Sequence, residues 1–166
     1  MKVTYRQAEL LDLPRIVAIY NQAVATRLST ADLKPLNVPQ KLDWFLAHDG
    51  KKQRPLWVIT DETKQIVGWL SLSDFYGRPA YRHTAEISLY LDKNCQGQGI
   101  GSQAVAFVES QVKKYQLDTL LAFIFGHNQA SQHLFKKFGF TNWAHLPEVA
   151  LMDGVRRDLD ILGKKY

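Results

Sequence analysis

The chain has 166 residues, of which 46% are hydrophobic and 22% charged, with a formal net charge of +5. These values are typical of one globular domain with its own core, and no apolar run is long enough to predict a membrane span. The single cysteine, Cys95, excludes an intramolecular disulfide, and with no secretory pattern over residues 1–6 it predicts a cytoplasmic protein. The basic residues occur as scattered pairs, so neither nucleic acid nor a membrane is an expected partner.

The first third of the chain predicts one strand and two helices. Residues Val3–Arg6 form the strand, and Asp12–Pro14 is typical of a helix start. Apolar residues then recur at helical spacing up to Val24, which predicts the first helix. The polar, proline-containing stretch Ser29–Pro39 is expected to be a loop or a broken helix and is a candidate substrate rim, followed by a short helix over Gln40–Ala47.

The middle of the chain predicts three strands. Two of them, Leu56–Thr60 and Ile66–Ser73, flank the hairpin signal Asp61–Gln65. The glycine- and proline-containing segment Asp74–His83 is expected to be a loop. Alternating residues then predict a strand over Thr84–Leu91.

The last third alternates helices with strands. A helix is predicted over Ile100–Tyr115, a strand over Thr119–Phe125 and a short helix over Ala130–Phe138. Two final strands are predicted over Phe140–Leu151 and Arg156–Leu162. This order predicts a single α/β domain over residues 1–166, with one central twisted mixed sheet flanked by helices.

A glycine-rich turn, Gln96–Gly101, joins the predicted strand to the predicted helix at Ile100. Its three glycines allow a tight turn whose N–H groups point at one spot, and the helix start adds its positive dipole end. The turn therefore predicts a pyrophosphate site. Its spacing matches neither the phosphate-binding loop of nucleoside triphosphatases, G-x-x-x-x-G-K-[ST], nor the dinucleotide-binding motif G-x-G-x-x-G.

Two groups of residues resemble a known family. The turn has the form Q-x-x-G-x-G, and with Asn128 and Leu134-Phe135-x-x-x-Gly139-Phe140 it resembles the acetyl-coenzyme A site of the GNAT N-acyltransferase superfamily. Within that superfamily, R-x-x-Y-x-x-T-x-E-x-S-x-Y over residues 78–90, followed by the turn and by Gly154-x-x-x-Asp158, resembles the phosphinothricin N-acetyltransferase group. The resemblance covers nearly the whole chain.

The resemblance implies a GNAT fold and acetyl transfer from acetyl-coenzyme A to the amino group of a small amino-acid-like substrate. Phosphinothricin, methionine sulfoximine and methionine sulfone are substrates of this type. No metal ion is implied, and a homodimer is an expected possibility because relatives are often dimers.

The resemblance also implies the site residues. The catalytic base is Glu86. The cofactor-binding residues are Leu89, Tyr90, Leu91, Gln96, Gly97, Gln98, Gly99, Ile100, Gly101, Ser102, Asn128 and Ser131. The substrate-binding residues are Arg78, Tyr81 and Thr84.

The sequence supplies independent reasons for Glu86 and the strand that carries it. Period-two alternation predicts Thr84, Glu86, Ser88 and Tyr90 on one face of the strand. Glu86 is therefore either on a solvated face or lines a site close to the turn. To deprotonate an amine, its carboxylate requires a pKa raised by partial burial, or a bridging water. Backbone N–H groups of Leu89–Leu91 are candidate donors to the oxyanion.

Arg78 is the candidate partner of a substrate carboxylate, because its planar guanidinium can bind a carboxylate through two hydrogen bonds. A solvated loop arginine is the alternative. Acetylation of another amine, such as a polyamine, an aminoglycoside or a protein N-terminus, also remains open, although Arg78 and Arg82 favour an anionic acceptor. A catalytically silent acyl-coenzyme A binding module is the third alternative.

The chain departs from the superfamily pattern at Phe135, where a tyrosine often protonates the leaving thiolate. Phenylalanine cannot donate a proton. Candidate replacements are Tyr90, His127 and His133; otherwise the thiolate leaves unprotonated.

Overall fold

The computed structural model describes residues 1–48, 51 and 53–166. Seven strands form one sheet in the order β1-β2-β3-β4-β5-β7-β6. The strands are β1 Thr4–Gln7, β2 Leu56–Thr60, β3 Ile66–Asp74, β4 Thr84–Leu91, β5 Thr119–Phe125, β6 Thr141–Met152 and β7 Val155–Lys165. The α-helices of the described residues are α1 Leu13–Thr26, α2 Val38–Ala47, α3 Ile100–Gln111 and α4 Gln129–Lys137. Single turns of 3₁₀ helix include Leu10–Asp12, Pro79–Tyr81 and Lys93–Cys95.

The sheet is mixed, which confirms the predicted fold class. β4 and β5 are parallel, whereas the other neighbouring strands pair antiparallel. The parallel pair is joined by a crossover through α3, as parallel strands require. β4 and β5 pair only from Thr84 with Thr119 to Glu86 with Leu121, and they diverge beyond that point.

Helices cover both faces of the sheet. On one face, Ile16 and Ile19 of α1 pack with Trp69 of β3 and are joined by Trp44 of α2. On the other face, apolar residues of α3 and α4, including Val108 and Phe135, complete the larger core cluster. The sheet is therefore the central layer of three, which is the arrangement that the alternating strands and amphipathic helices predict.

Most predicted elements have nearly the observed bounds, and Thr84–Leu91 and Thr119–Phe125 agree at both ends. The predicted helix Ile100–Tyr115 is too long, because regular helix ends at Gln111. Gln116 is left-handed, with φ 53°, and the N–H of Leu117 donates to the carbonyl of Val112. This turn directs Tyr115 and Leu117 into the core.

Two findings bear on the alternatives raised by composition. None of the helices in the described residues has the length and apolar character needed to cross a membrane. Nor do the described residues bring together three or more His, Cys, Asp or Glu side chains that could hold a metal ion.

Candidate active site

A cavity of about 470 Å³ opens where β4 and β5 diverge. We call it the inner cavity. Its walls include Glu86, Leu89 and Tyr90 of β4, Phe123 and Phe125 of β5, and Leu159 of β7. Because β4 and β5 no longer pair beyond Glu86 and Leu121, backbone groups of both strands face this space instead of each other.

The direction of the β4 backbone follows from the bonds of its neighbours. The N–H of Leu72 donates to the carbonyl of Pro55 in the segment before β2, and the N–H of Asp92 donates to the carbonyl of Val67 in β3. Backbone groups alternate in direction along a strand, so even-numbered β4 residues face β3 and odd-numbered ones face β5. Leu89 thus presents its N–H to the inner cavity, whereas Tyr90 contributes its side chain.

A short loop segment after α1 lies against β4. The hydroxyl of Tyr90 donates to the carbonyl of Ser29 at 2.8 Å. The side-chain amide of Asn128 donates to the carbonyl of Leu28 at 3.1 Å and to the hydroxyl of Ser29 at 3.3 Å, while its oxygen accepts from the N–H of Ser131. Asn128 therefore caps α4 and anchors the loop.

A second cavity of about 460 Å³, the outer groove, continues from the first. Both cavities are lined by Leu28, Ser29, Leu89, Tyr90, Asn128 and Ser131. The outer groove extends from there to Gln96, Gly97, Gly99, Gly101 and Ser102 at the start of α3. One continuous path therefore runs from the glycine turn to Glu86.

The glycine turn provides an anion site at the start of α3. Gly97 and Gly99 have φ of 73° and 77°, a left-handed conformation that glycine adopts without strain. Gly99 is the N-cap of α3, so the N–H groups of the first helical turn have no helical acceptor and face an incoming anion. Lys93, which sequence reasoning did not select, also lines the groove.

Two predicted cofactor-binding residues do not line the groove with their side chains. Gln98 donates to the carbonyl of Asn94 at 3.1 Å, and Ile100 is buried in the core. Either residue can therefore bind a ligand only through its backbone N–H.

Helix α1 holds the beginning of the turn in place. Asp92 accepts hydrogen bonds from Arg15 at 2.7 Å, from Gln22 at 3.1 Å and from the N–H of Asn94 at 2.9 Å. The amide oxygen of Gln22 also accepts from the N–H of Lys93. Burial alone would raise the pKa of Asp92, but these bonds outweigh it and lower the pKa. Asp92 is thus a charged anchor that links the turn to α1.

Among the described residues that line the inner cavity, Glu86 is the only one with a charged side chain. Within that part of the chain its carboxylate accepts no hydrogen bond and forms no ion pair. Burial raises the pKa of Glu86 because desolvation disfavours the ionised form. The side chain is thus a stronger base than an exposed glutamate, as the sequence argument requires.

None of the three predicted substrate residues lines the inner cavity. Thr84 begins β4 two residues before Glu86. Arg78 and Tyr81 are exposed on the loop between β3 and β4, and neither lines the cavity. Phe75 connects this loop to the cavity wall, since its ring centroid lies 5.4 Å from that of Tyr81 and 6.5 Å from that of Phe123.

The three candidate proton donors for a leaving thiolate differ in their position and in their hydrogen bonds. Tyr90 lines both cavities, but its hydroxyl proton is engaged by Ser29. His127 is bonded through Nε2 to the carbonyl of Arg27, and His133 is exposed; neither lines a cavity. Ser29 lines both, but sequence reasoning had marked it only as the start of a possible rim.

The chain is similar to known acetyltransferases in sequence and in fold. The sequence model of the acetyltransferase (GNAT) family matches residues 17–140. YwnH of Bacillus subtilis strain 168, to which phosphinothricin acetyltransferase activity is provisionally assigned, is 44% identical over 98% of this chain and 99% of its own length. An L-methionine sulfoximine/L-methionine sulfone acetyltransferase of Pseudomonas paraeruginosa is 28% identical over 98% of this chain and 94% of its own.

A solved structure has the same fold with a ligand bound. It is a phosphinothricin acetyltransferase from Sinorhizobium meliloti in complex with acetyl-coenzyme A. It superposes with a TM-score of 0.92 at 25% identity, covering 99% of this chain and 89% of that one.

Proposed function

We propose that this chain, which belongs to the acetyltransferase (GNAT) family, acetylates the amino group of a small amino-acid-like substrate with Glu86 as the base. Its similarity to enzymes of the phosphinothricin and methionine sulfoximine type supports an acetyltransferase of that type. The acceptor, the residue roles and a cytoplasmic location are the parts that we propose.

The observation that carries the proposal is the continuous path from the start of α3 to Glu86. Acetyl-coenzyme A supplies an activated acetyl group and several phosphate charges. The residues of the outer groove fit such a ligand, because Gly97 and Gly99 leave open space where a Cβ would be and Lys93 supplies a cation. Gly97, Gly99, Gly101 and Ser102 would hold phosphates, and Ser29, Asn128 and Ser131 would border the part nearer the thioester.

Two groups of β4 have complementary roles, the side chain of Glu86 in the inner cavity and the N–H of Leu89 where the two cavities meet. Glu86 accepts a proton from the substrate ammonium, which frees the nitrogen lone pair for attack on the acetyl carbon. The N–H of Leu89 donates to the carbonyl oxygen as negative charge develops there. When the tetrahedral intermediate collapses, the carbon–sulfur bond breaks and coenzyme A leaves as the thiolate. The nitrogen releases its second proton as the amide forms, which balances the charge of the thiolate. The raised pKa of Glu86 brings the base closer to neutral pH, where proton acceptance is more effective.

We propose that the acceptor carries a carboxylate and that Arg78 binds it. Arg78 has no hydrogen-bond or ion-pair partner for its side chain among the described residues, so its guanidinium is available to a ligand. Phe75 and Tyr81 link its loop to the wall of the inner cavity at Phe123. An arginine at the rim and Glu86 inside would together match the opposite charges of an amino acid.

We also propose that a second copy of the chain docks along β6. This strand is one of the two edge strands of the sheet, β1 being the other, and it exposes Trp143 and Leu151. A long exposed edge strand pairs readily with another chain, and two identical edges can pair antiparallel about a twofold axis. Val149 and Ala150 of the same strand line the inner cavity. The second copy would therefore border the acceptor site.

The test is thiol release from acetyl-coenzyme A by the purified protein. The acceptors are methionine sulfoximine, methionine sulfone, phosphinothricin, common amino acids, spermidine and an aminoglycoside, with Glu86→Gln assayed in parallel. Turnover limited to the amino-acid-like compounds and strongly reduced in Glu86→Gln supports the proposal. Turnover of spermidine instead contradicts the carboxylate role of Arg78. Cofactor binding without turnover of any amine identifies a silent binding module.

A further inference from the structure

A histidine at the end of α2 contacts the residue of β3 that pairs with Glu86 of β4. His48 follows the last turn of α2, and its Nε2 lies 2.9 Å from the hydroxyl oxygen of Ser73 in β3. Ser73 is the direct cross-strand partner of Glu86. Side chains at such paired positions project from the same face with Cβ atoms about 5 Å apart. Ser73 therefore contacts the imidazole and lies within side-chain reach of Glu86, although no hydrogen bond joins its hydroxyl to the Glu86 carboxylate in this structure.

The hydrogen bonds of His48 determine which ring nitrogen carries the proton. Nδ1 lies 2.7 Å from the carbonyl oxygen of Trp44, and a carbonyl can only accept a hydrogen bond. Nδ1 is therefore protonated in the neutral ring, and Nε2 is the acceptor. It follows that the Ser73 hydroxyl donates its one proton to His48. Burial lowers the pKa of His48, so the neutral ring predominates near neutral pH.

This arrangement restricts what Ser73 can do for its other neighbour. With its proton engaged by His48, the hydroxyl can only accept a hydrogen bond from the direction of Glu86. A carboxylate has no proton to offer, whereas a protonated carboxyl group that turns toward Ser73 can donate to its hydroxyl oxygen. We propose that His48 is a positioning residue for Glu86, holding the Ser73 hydroxyl as an acceptor that favours the proton-carrying form of the base. The catalytic meaning of this inference rests on the proposed function.

Ser71 provides a second observation on the same face. Its side chain is 1% exposed, and its hydroxyl has no hydrogen-bond partner in the described part of the chain. Ser71 lies two residues before Ser73 and opposite Ser88, which lines the inner cavity. Hydroxyl groups thus extend along this face from the His48 side of β3 to the cavity.

In the part of the chain that the structure describes, the charged and titratable groups around the pair are these. Lys41 of α2 lowers the pKa of His48 and Asp74 of β3 raises it, and both effects are smaller than that of burial. The charge of Asp74 is paired with Arg54 at 2.6 Å. Tyr90 lies four residues from Glu86 on the same face of β4, and the β5 and β6 residues that line the cavity are uncharged.

The arrangement couples the two titrations with a definite sign. When His48 becomes protonated at lower pH, both ring nitrogens are donors. Nε2 then donates to Ser73, and the Ser73 hydroxyl can turn its own proton toward Glu86. That hydrogen bond stabilises the carboxylate and weakens Glu86 as a base.

The test measures Glu86 directly, in ligand-free protein labelled with ¹³C at glutamate carboxyl carbons and titrated by NMR. The Glu86 signal is assigned by its loss in Glu86→Gln. In His48→Ala, Ser73 is free to donate to the carboxylate, so the Glu86 midpoint should fall by about one pH unit. In His48→Gln, the side-chain oxygen can still accept from Ser73, so the midpoint should stay near the wild-type value.

Activity provides the second readout, because the acid limb of the pH profile of kcat/KM should move with the NMR midpoint. In His48→Ala we expect a lower kcat with little change in KM for the amine, and recovery in His48→Gln. An unchanged midpoint in a folded His48→Ala protein, or equal shifts in the alanine and glutamine variants, would overturn the inference.

Two further outcomes keep the test decisive. If His48→Ala does not fold, Ser73→Ala takes its place, because it removes the acceptor hydroxyl itself. An unchanged Glu86 midpoint in Ser73→Ala overturns the inference. If the wild-type protein turns over no amine, the proposed function fails. The NMR titration still decides whether His48 and Ser73 control the protonation of Glu86.

Discussion

The hydroxyl of Tyr90 donates a 2.8 Å hydrogen bond to the carbonyl oxygen of Ser29, and this bond joins β4 to the loop after α1 where the two cavities meet. The ring of Tyr90 is fixed independently, since it stacks on Trp69 with a centroid distance of 4.6 Å. The junction is therefore held by residues 61 positions apart in sequence.

Tyr90→Phe separates a structural role of this hydroxyl from proton donation to the leaving thiolate. Because the proton is engaged by Ser29, we expect a stability loss of about 1 kcal/mol and a fall in kcat of less than about tenfold. Tyr20→Phe is the control, since its hydroxyl donates to Asp32 and also bonds Thr30 of the same loop, but Tyr20 lines neither cavity. A collapse of kcat in Tyr90→Phe alone would identify Tyr90 as the proton donor. Thermal denaturation and steady-state kinetics measure both effects.

Glu86→Gln should stabilise the protein at neutral pH while reducing its activity. The folded-state pKa of Glu86 is raised by burial, so ionisation is more costly in the folded than in the unfolded protein. The protonated Glu86 side chain therefore contributes its full stability below the pKa that Glu86 has in the unfolded protein. That contribution is lost as the pH rises through the pKa of Glu86 in the folded protein. The gain in Tm of Glu86→Gln over wild type should accordingly be larger at pH 7.5 than in acid. An equal gain at both pH values would contradict a raised pKa.

Gly99→Ala tests the anion site at the start of α3. A Cβ at this position meets no atom within 4 Å, but φ is 77°, so the substitution introduces backbone strain of about 1–2 kcal/mol without a clash. We expect the KM for acetyl-coenzyme A to rise severalfold while kcat at saturation is largely retained. Gly154→Ala is the matched control, because Gly154 also has open space and a φ of 80° but lies in the β6–β7 turn. Equal KM values in the two variants would argue against phosphate binding at Gly99.

Arg78→Ala tests recognition of the acceptor carboxylate. Loss of a charge-assisted hydrogen bond of about 1.5–3 kcal/mol should raise the KM for methionine sulfone by roughly tenfold to a hundredfold. The control is the same compound without its carboxylate, 3-(methylsulfonyl)propylamine, which the variant and the wild type should handle alike. Arg78→Lys should recover only part of the affinity, because an ammonium lacks the planar two-bond geometry. If the KM values for the two compounds rise equally in Arg78→Ala, Arg78 supports the loop and does not bind the carboxylate.

Leu151→Lys tests docking of a second copy along β6. Leu151 is 54% exposed on the edge strand and lines neither cavity. Placing a charge there should shift the protein from dimer to monomer in sedimentation velocity, because the two copies would bury two lysines against each other. Leu11→Lys, at a residue 90% exposed before α1, should leave the sedimentation coefficient unchanged. A wild-type protein that sediments as a monomer at high concentration would contradict the dimer.

The sequence alone was sufficient to predict the strand, the glycine turn and the helix that follow one another from Thr84 to Gln111, apart from the helix end. The signals there are local: alternation with period two, glycines that can adopt positive φ, and helical spacing act within a few residues. The same local alternation identified Glu86 as a residue on the polar face of its strand. A mixed α/β sheet likewise follows from the order of such elements.

Contacts between distant segments were decided only by the tertiary structure. No sequence pattern indicates that β4 and β5 separate after Glu86 and Leu121, although this separation forms the inner cavity. Ser29 meets Tyr90, and His48 meets Ser73, because α1 and α2 pack across β3 and β4. Periodicity determines which side chains share a face of one element. Which element covers that face depends on packing between residues far apart in the chain, and that packing determines the hydrogen bonds and the burial of Glu86.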